Sequence, residues 1–313
     1  MPKISALDPG ATPTGAEIHA VVQSGSTVRL TTNEMLANYV ANHMGSIGLH
    51  LANDGTSTGF FLKPFKGNSI PVYNFSTAVW ELHTFTSSLT GNVSNIMIDG
   101  VPNQAIAANT VYDVFLTKTG STIQFDLSAI QGAIDEPTIG IKVLGGNSKE
   151  PLVGRLIKVN GTIQGGASSE LLISWYVPGT VALTSTPSGN TGGSLNTWVE
   201  MNSSARIQFL SWAEALPLST KFQFNFQNSV AGTQMNVGVG LYTSPTAANT
   251  TPDRVVSINV PTGTVEDSLS LSFSLNGGAT GGYYEYRFFA KTDAGTMTLN
   301  PTNNSHAEAV VWF

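Results

Sequence analysis

Residues 111–127, VYDVFLTKTGSTIQFDL, predict a β-hairpin and with it the fold class of the chain. The run Val111–Thr117 is rich in apolar, β-branched and aromatic residues, which is typical of a buried strand. A tight turn follows at Thr119–Ser121, with Gly120 at its centre. The next strand alternates apolar and polar residues, namely Ile123, Gln124, Phe125, Asp126 and Leu127. Because successive side chains on a strand point to opposite faces, this alternation predicts a half-buried strand.

Further apolar segments follow the hairpin at short and regular spacing. They are Ile139–Leu144, Leu152–Val159 and Leu171–Val177, with a turn at Gly145–Asn147 between the first two. Short strands at such spacing, separated by turn residues, indicate an antiparallel sandwich or barrel.

A second series of strands is predicted after residue 195. Three phenylalanines, Phe222, Phe224 and Phe226, alternate with Gln223, Asn225 and Gln227, which predicts one strand with two different faces. Four further strands are predicted at Val237–Leu241, Val255–Val260, Leu269–Leu275 and Tyr284–Ala290. The apolar C-terminal segment Ala309–Phe313 is expected to be a paired and buried strand, since fraying would place Trp312 and Phe313 in water.

Residues 184–194, TSTPSGNTGGS, lack an apolar face and predict a linker between the two series. The predicted fold class is therefore all-β, with antiparallel β-sandwich or jelly-roll-like domains in tandem behind a short hairpin-plus-helix leader. The predicted boundaries are 1–45 for the leader, 46–183 for the first β domain, 184–194 for the linker and 195–313 for the C-terminal β-sandwich domain.

The composition favours a polar but weakly charged surface. Charged residues make up 11% of the chain, against about 25% in an average globular domain, and 32 glycines accompany many Ser, Thr and Asn residues. Such a surface is typical of β-rich extracellular and virion proteins. The net charge of -6 argues against a nucleic-acid partner.

The same composition excludes several kinds of protein. The chain has no cysteine, which rules out disulfides and thiolate sites. There is no signal-peptide pattern, and no apolar run approaches the ~20 residues of a membrane helix, so we expect no membrane insertion. The protein is expected to remain in the cytoplasm of the producing cell unless a particle carries it out.

Motifs that carry chemistry are missing from the sequence. The five histidines have no metal-ligand spacing, and there is no nucleophile elbow and no phosphate loop. The adjacent pair Asp135–Glu136 is expected in a turn, and the acidic residues Asp253, Glu266 and Asp267 lack a calcium-loop pattern. We therefore assign no catalytic, cofactor-binding or metal-binding residue and predict a protein that is not an enzyme.

Aromatic residues near the C-terminus allow two interpretations. Trp198, Tyr283, Tyr284 and Tyr286 could form a surface on which a sugar stacks, beside the glycines at 281 and 282. The alternative, which the alternation favours, is that Tyr284, Tyr286 and Phe288 pack within a sheet.

The first 42 residues contain too few apolar side chains to bury a core. Residues 18–23 and 28–30 predict two strands around a turn at Ser24–Ser26, and Asn33–Val40 predicts a helix capped by Thr31 or Thr32. A hairpin with one helix needs another surface on which to pack.

This leader resembles the N-terminal segment of many tailed-bacteriophage virion proteins, especially fibres and spikes. The resemblance rests on Ile4-Ser-x-Leu7, a turn with Pro13 and Gly15, then Glu17 and the segment Val21–Thr31. It implies attachment to the virus particle through Ile4, Leu7, Pro13, Gly15, Glu17, Val21, Val22, Gln23 and Gly25.

A second resemblance covers part of the predicted first domain. The segments Phe61–Asn68, Tyr112–Leu116, Ile139–Lys142, Pro151–Gly154 and Ser174–Trp175 are similar in order to a β domain of phage virion proteins. The chain departs from that pattern between Ser69 and Val111, where it is longer and different.

Together, these resemblances and the composition favour a structural virion protein of a tailed bacteriophage, of the tail fibre or spike type. The resemblance implies a homotrimer, held by other virion proteins of the tail, the portal-proximal region or the capsid, with a host surface glycan or receptor as its target. We expect assembly in the host cytoplasm and location in the virion.

Other classes remain alternatives. A capsid decoration or head-fibre protein would use the same domains to staple the shell, and a carbohydrate-binding module would not need the leader. A glycan-degrading spike is disfavoured, because the chain is short and lacks the rung repeat of a β-helix.

Overall fold

The structure, a computed structural model, describes most of the chain between residues 18 and 312. The described residues are 18–23, 26–31, 48–129, 133–136, 141–145, 149–177, 180–186, 192–193, 196–201, 203–212, 217–230, 234–248, 251–259, 264–274, 282–299 and 306–312. They form strands, turns and one short 3₁₀ helix, Ser203–Ala205, and they contain no α-helix. The predicted all-β class is confirmed. Within these residues no helix is both long and apolar enough to cross a membrane.

The hairpin predicted in the leader is confirmed. Strands β1 (Ile18–Gln23) and β2 (Ser26–Thr31) pair antiparallel, with Ile18 opposite Thr31 and Gln23 opposite Ser26. The helix predicted over Asn33–Val40 lies outside the described residues.

Two sheets form a first sandwich. The strands of this part of the chain are β3 (Leu49–Asn53), β4 (Gly59–Pro64), β5 (Ser69–Asn74), β6 (Val79–Thr84), β7 (Leu89–Asn92), β8 (Ile96–Ile98), β9 (Val101–Gln104), β10 (Val111–Thr119), β11 (Thr122–Ser128), β12 (Ile134–Glu136), β13 (Ile141–Val143), β14 (Leu152–Ile157), β15 (Ser169–Glu170) and β16 (Leu172–Ser174). Of these, β15 joins a sheet of the second sandwich, and β12 and β13 form a separate two-stranded sheet. Asp135 and Glu136, expected in a turn, therefore lie on a strand.

The small sheet has the order β3-β4-β7 and packs on a larger sheet of order β16-β14-β10-β11-β8-β9. The hairpin β5–β6 joins the larger sheet at β10. Core side chains from the two sheets include Leu51, Phe60, Val114, Leu116 and Phe125. The larger sheet is mixed and not purely antiparallel, because β8 joins β11 and β5 joins β10 in parallel.

The hairpin predicted over residues 111–127 is confirmed as β10–β11. Its register runs from Asp113 opposite Ser128 to Thr119 opposite Thr122, and Gly120 adopts a φ of +61° in the turn. The predicted alternation of burial holds only as far as Gln124. From Phe125 to Ser128 both faces of β11 are buried, so Asp126, predicted on a polar face, is 3% exposed. At Asp126 the β8–β9 turn lies against the second face, where the Gly100 amide donates a hydrogen bond to Asp126 Oδ2.

The segment Pro151–Gly154 ends in a glycine because there is no room for a side chain at position 154. It lies on β14, where a Cβ atom would come within 2.3 Å of Leu51 Cδ2 and 2.5 Å of the Ile173 carbonyl oxygen. Because two sheets and a neighbouring strand converge there, no larger residue fits without displacement of the backbone.

A second sandwich follows along the chain. Its strands are β17 (Thr180–Ser185), β18 (Gly192–Gly193), β19 (Val199–Glu200), β20 (Ile207–Ser211), β21 (Pro217–Asn228), β22 (Gln234–Tyr242), β23 (Arg254–Asn259), β24 (Thr264–Ser274), β25 (Gly282–Thr292), β26 (Met297–Leu299) and β27 (His306–Trp312). One sheet has the order β15-β20-β25-β22-β23, with β19 also paired to β25, and the other has the order β17-β27-β21-β26-β18, with β24 paired to β21.

The predicted start of the linker falls within a strand. Strand β17 pairs with β27 along its whole length, with Thr180 opposite Trp312 and Ser185 opposite Ala307. Residues 180–183 therefore belong to the second sandwich and not to the first, and Thr184 and Ser185 are strand residues. Their polar, turn-forming composition did not reveal the pairing, because the partner strand lies at the far end of the chain. The division into domains stays a prediction.

Strand β27 confirms that the C-terminal segment is a paired strand as far as Trp312. It lies between β17 and β21, and Ala307, Ala309 and Val311 are buried. The side chain of Trp312 and all of Phe313 lie outside the described part, so their burial stays a prediction. Strand β21 is confirmed as one strand through Phe222, Phe224 and Phe226. Their side chains lie outside the described part, so their shared face stays a prediction.

Candidate functional site

A cleft of ≈ 550 Å³ lies between the edge strand β7, the turn after it and β11. Its floor is formed by four apolar side chains, Leu89, Ile96, Ile123 and Phe125. Its polar lining comes from Asp54, Thr90, Asn92, Asn95 and Gln124. Concave surfaces with an apolar floor and several polar groups are the usual form of a binding site.

Gly91 sets the depth of the cleft. It lies opposite Phe60 in the β4–β7 pairing, and a Cβ atom there would come within 2.6 Å of Phe60 Cζ and 2.9 Å of Phe125 Cδ2. The glycine therefore lets the two rings pack beneath it, with centroids 4.8 Å apart.

A tight turn holds the carboxylate of Asp54, which belongs to the lining of the cleft. Asp54 Oδ1 accepts hydrogen bonds from the Thr56 hydroxyl (2.6 Å) and the Thr56 amide (2.8 Å), and Asn53 Oδ1 accepts one from the Gly55 amide (2.7 Å). The bonds from Thr56 lower the pKa of Asp54 below its usual value. The cleft therefore presents a fixed and ionised carboxylate at neutral pH.

The amide side chains of the cleft keep unused hydrogen-bonding groups. Asn92 uses its Oδ1 to accept from the Ser94 amide (2.9 Å), which shapes the turn and leaves its Nδ2. Gln124 places Nε2 3.9 Å from Met97 Sδ, which leaves its Oε1. In the described part of the chain, the side chain of Asn95 makes no hydrogen bond. Such a lining is suited to bind a hydrogen-bonding ligand.

The cleft does not assemble a recognisable set of reacting groups. Asp54 is the single carboxylate among its lining residues, and they include no histidine. Among the described residues, no group of three or more His, Asp or Glu side chains converges on a point that could hold a metal ion.

Asp126, on β11 behind the cleft, is a buried carboxyl group with an unusual environment. Its Oδ2 accepts a hydrogen bond from the Gly100 amide (3.0 Å) in the β8–β9 turn, while its buried Oδ1 has no hydrogen-bond partner. Burial raises the pKa of Asp126 to about 6, and the nearby carboxylates of Glu150 and Asp99 add to the effect. Folding therefore shifts this carboxyl group toward its protonated form relative to the unfolded chain.

We expect Asp126→Asn to stabilise the protein at pH 8 by about 1–2 kcal/mol, because the amide keeps an acceptor for Gly100 and removes a buried charge. A folded pKa above the unfolded one means that the wild type loses stability as pH rises from about 4 to 6. The gain should therefore vanish near pH 4, as measured by urea unfolding at both pH values. Asp293→Asn, in the exposed turn after β25, is the control and should change stability little at either pH. Equal gains for Asp126→Asn at pH 4 and pH 8 would show that the buried charge is not their cause.

The residues proposed for sugar stacking do not form an exposed platform. Tyr283, Tyr284 and Tyr286 are buried, with the rings of Tyr284 and Tyr286 each 5.7 Å from that of Phe209. Their burial favours the alternative interpretation, in which alternate members pack the sheet. Trp198 is half-buried, with Lys291 Nζ 5.0 Å from the centre of its ring.

The residues proposed for particle attachment lie partly in the described hairpin. Val21, Val22 and Gln23 belong to β1, whereas Ile4, Leu7, Pro13, Gly15, Glu17 and Gly25 lie outside the described residues. The cleft itself was missed by sequence reasoning, because its lining comes from separate segments with no motif. The feature of the sequence that could have indicated the cleft is the polar, turn-rich run between Thr90 and Asn95.

Exposed apolar side chains mark a second surface, on the hairpin β5–β6. Phe75, Val79 and Leu82 are each more than 40% exposed, and the ring of Tyr73 contacts those of Phe75 (5.1 Å) and Trp80 (5.5 Å). No other strand in the described residues pairs with β6 beyond β5. An apolar hairpin with a free edge is typical of a surface that contacts another chain.

Comparison with known proteins gives weak structural likenesses. No known protein-family model matches the sequence. No characterised protein matches it in sequence. The VP2 subviral particle of infectious bursal disease virus matches with 12% identity and a TM-score of 0.29, over 85% of this chain and 72% of that chain.

Two further solved structures match with similarly low identities and TM-scores. The insecticidal δ-endotoxin Cry8Ea1 of Bacillus thuringiensis matches with 7% identity and a TM-score of 0.26, over 85% of this chain, which spans 52% of the toxin. A carbohydrate-binding module of the β-sandwich superfamily matches with 10% identity and a TM-score of 0.16, over 85% of this chain and 97% of the module. None of these values assigns a function or partner to this chain.

Proposed function

We propose that this chain is a structural virion protein of a tailed bacteriophage, of the tail fibre or spike type. Its N-terminal leader anchors it to the particle, and its two β-sandwiches project for attachment to the host. The observation that carries the proposal is the leader hairpin β1–β2. Its sequence resembles a particle-attachment segment, and within the described residues its strands pair only with each other. A hairpin that adds no strand to either sandwich is suited to bind a different protein.

Two surfaces suggest the partners, namely the leader hairpin β1–β2 and the exposed hairpin β5–β6. The leader would be held by proteins of the tail, the portal-proximal region or the capsid. The exposed apolar hairpin β5–β6 supports association of identical chains, because it would remove Phe75 and Leu82 from water. The number of three copies rests on the resemblance of the leader. The protein would assemble in the host cytoplasm and reside in the virion, without catalytic activity.

A carbohydrate-binding module is the second candidate, and the cleft favours it. That function needs no leader and no particle. The two candidates therefore differ in whether the protein is part of a virus particle. A test of incorporation into particles distinguishes them. Labelling the incorporated chain for electron microscopy would then separate a tail fibre from a capsid decoration or head-fibre protein.

We expect a chain that lacks residues 1–42 to fold and to be excluded from particles. The reason is that β1 and β2, the part of the leader that the structure describes, join neither sandwich, while the leader carries the attachment resemblance. The full-length and truncated chains would each be supplied to a phage that lacks the gene, and purified particles would be probed for each. Normal incorporation of the truncated chain would contradict the role of the leader as an anchor.

Native mass spectrometry of the full-length and the truncated chain should show a trimer. A monomer at micromolar concentration would contradict the trimer.

A further inference from the structure

We propose that the cleft between β7 and β11 binds a neutral oligosaccharide. The inference deepens the host-attachment part of the proposed function and names the residues and the ligand chemistry.

The polar groups of the cleft match hydroxyl groups. The amides of Asn92, Asn95 and Gln124 and the hydroxyl of Thr90 together supply both donors and acceptors. A sugar hydroxyl also donates and accepts, so one ring can use both kinds of group. The Nδ2 of Asn92, the Oε1 of Gln124 and the amide of Asn95 remain unused within the described residues, and a ligand could bond them without breaking the fold.

The charge of the cleft disfavours an anionic ligand. No lysine or arginine is among its lining residues, and the carboxylate of Asp54 is held in place by Thr56. A phosphate or a uronic acid would therefore meet a like charge without a compensating cation. A neutral ring can instead donate hydroxyl hydrogen bonds to the carboxylate, and bonds to an ionised acceptor are stronger than neutral ones.

The shape of the cleft suits a short segment of a chain. A volume of ≈ 550 Å³ is within the usual range for small-ligand sites. Leu89 and Ile123 are half-buried and offer apolar surface to the C–H groups of a ring. The cleft is partly open to solvent, so the ends of an oligosaccharide can leave it. Strand β7 has four residues with a glycine among them, and it offers few main-chain bonds to an added peptide strand.

The test is affinity electrophoresis of the purified full-length protein. Gels would contain dextran, mannan or galactan as neutral polysaccharides and polygalacturonate as the anionic comparison. We expect retardation by at least one neutral polysaccharide and none by polygalacturonate. Asn95→Ala combined with Gln124→Ala should weaken the retarding interaction by roughly 10-fold or more, which is the loss expected for one to two hydrogen bonds.

The matched control is Gln234→Ala, which removes an exposed amide from β22 in the second sandwich. It should bind as the wild type does, and thermal unfolding should be unchanged in all variants because the substituted side chains are exposed. Three outcomes would overturn the proposal: no retardation by any neutral polysaccharide, retardation that the double variant leaves intact, or preference for polygalacturonate. The particle-incorporation experiment does not depend on these outcomes. Sugar binding by the cleft and anchoring by the leader can therefore fail separately.

Discussion

Glu285→Ala is expected to lower the free energy of unfolding by about 3–5 kcal/mol, because it removes one partner of a buried ion pair. Glu285 is 0% exposed and Arg287 is 1% exposed, and both lie on β25 in the middle of a sheet of the second sandwich. Without the carboxylate, the buried guanidinium of Arg287 loses its ion pair with Glu285. Against a typical domain stability of about 5–15 kcal/mol, the loss is large.

The contacts of the pair explain why the cost should be high. Glu285 Oε2 accepts hydrogen bonds from the Tyr283 hydroxyl (2.5 Å) and from Gln208 Nε2 (2.6 Å), and its Oε1 accepts one from Arg287 Nε. Arg287 Nη1 also donates to the Ala247 carbonyl oxygen (2.6 Å). One carboxylate therefore orders two strands and, through Arg287, the loop after β22.

Urea unfolding would measure the effect, with Glu308→Ala as the control. Glu308 is an exposed glutamate on β27, and its removal should cost at most about 1 kcal/mol. If Glu285→Ala prevents folding, the double variant Glu285→Leu with Arg287→Met still tests whether the unpaired charge is the cause. Removal of both charges should be less damaging than removal of the carboxylate alone. A single variant as stable as Glu308→Ala would show that the pair contributes little.

Much of the fold could be predicted because local signals agreed with one another. In β10–β11 the turn glycine, the strand propensities and the alternation all indicate one hairpin, and its observed register begins at Thr119 opposite Thr122. The strands of the second sandwich followed from the same alternation. These signals are local because side-chain direction is a property of the strand itself.

Polar residues inside the sheets could not be predicted in the same way. Asp113, Asp126, Glu285 and Arg287 occupy alternate positions that suggest a solvated face, yet all four are buried. What permits their burial is a partner or cover from elsewhere in the chain, such as Arg155, 42 residues from Asp113. The pairing of β17 with β27 was missed for the same reason. The cleft likewise combines Asp54, Asn95 and Gln124 from three separate segments.

The junction of the two sandwiches depends on another such residue, Arg155 on β14. Its Nε donates to Asp113 Oδ1 (2.7 Å), and its Nη1 donates to the Ser211 carbonyl oxygen (3.1 Å) on β20 of the second sandwich. Its guanidinium lies 4.6 Å from the ring of Trp212, which contacts Trp175 edge-on at 4.7 Å. A buried apolar cluster surrounds this contact and joins residues of both sandwiches, namely Ile157, Val159, Leu171, Ile173, Leu210 and Tyr283.

Arg155→Met is therefore expected to destabilise the protein by about 3–5 kcal/mol at pH 8, since it leaves the Asp113 carboxylate buried without its cation. Burial raises the pKa of Asp113, while the hydrogen bond from Arg155 acts to lower it. Without Arg155 the pKa should rise further, and the carboxyl group would take up a proton as pH falls. A raised folded pKa means that stability falls as pH rises, so the loss should be smaller near pH 4 than at pH 8.

Urea unfolding of three variants at both pH values would test this dependence. Asp113→Asn combined with Arg155→Met removes the buried charge, so it should recover stability at pH 8 and respond less to pH. Lys142→Met breaks the exposed ion pair with Asp135 (3.0 Å) and should cost less than about 1 kcal/mol at either pH. The comparison isolates burial, because both single variants remove a cation from a carboxylate. If Arg155→Met cost no more than Lys142→Met, the apolar cluster alone would hold the two sandwiches together.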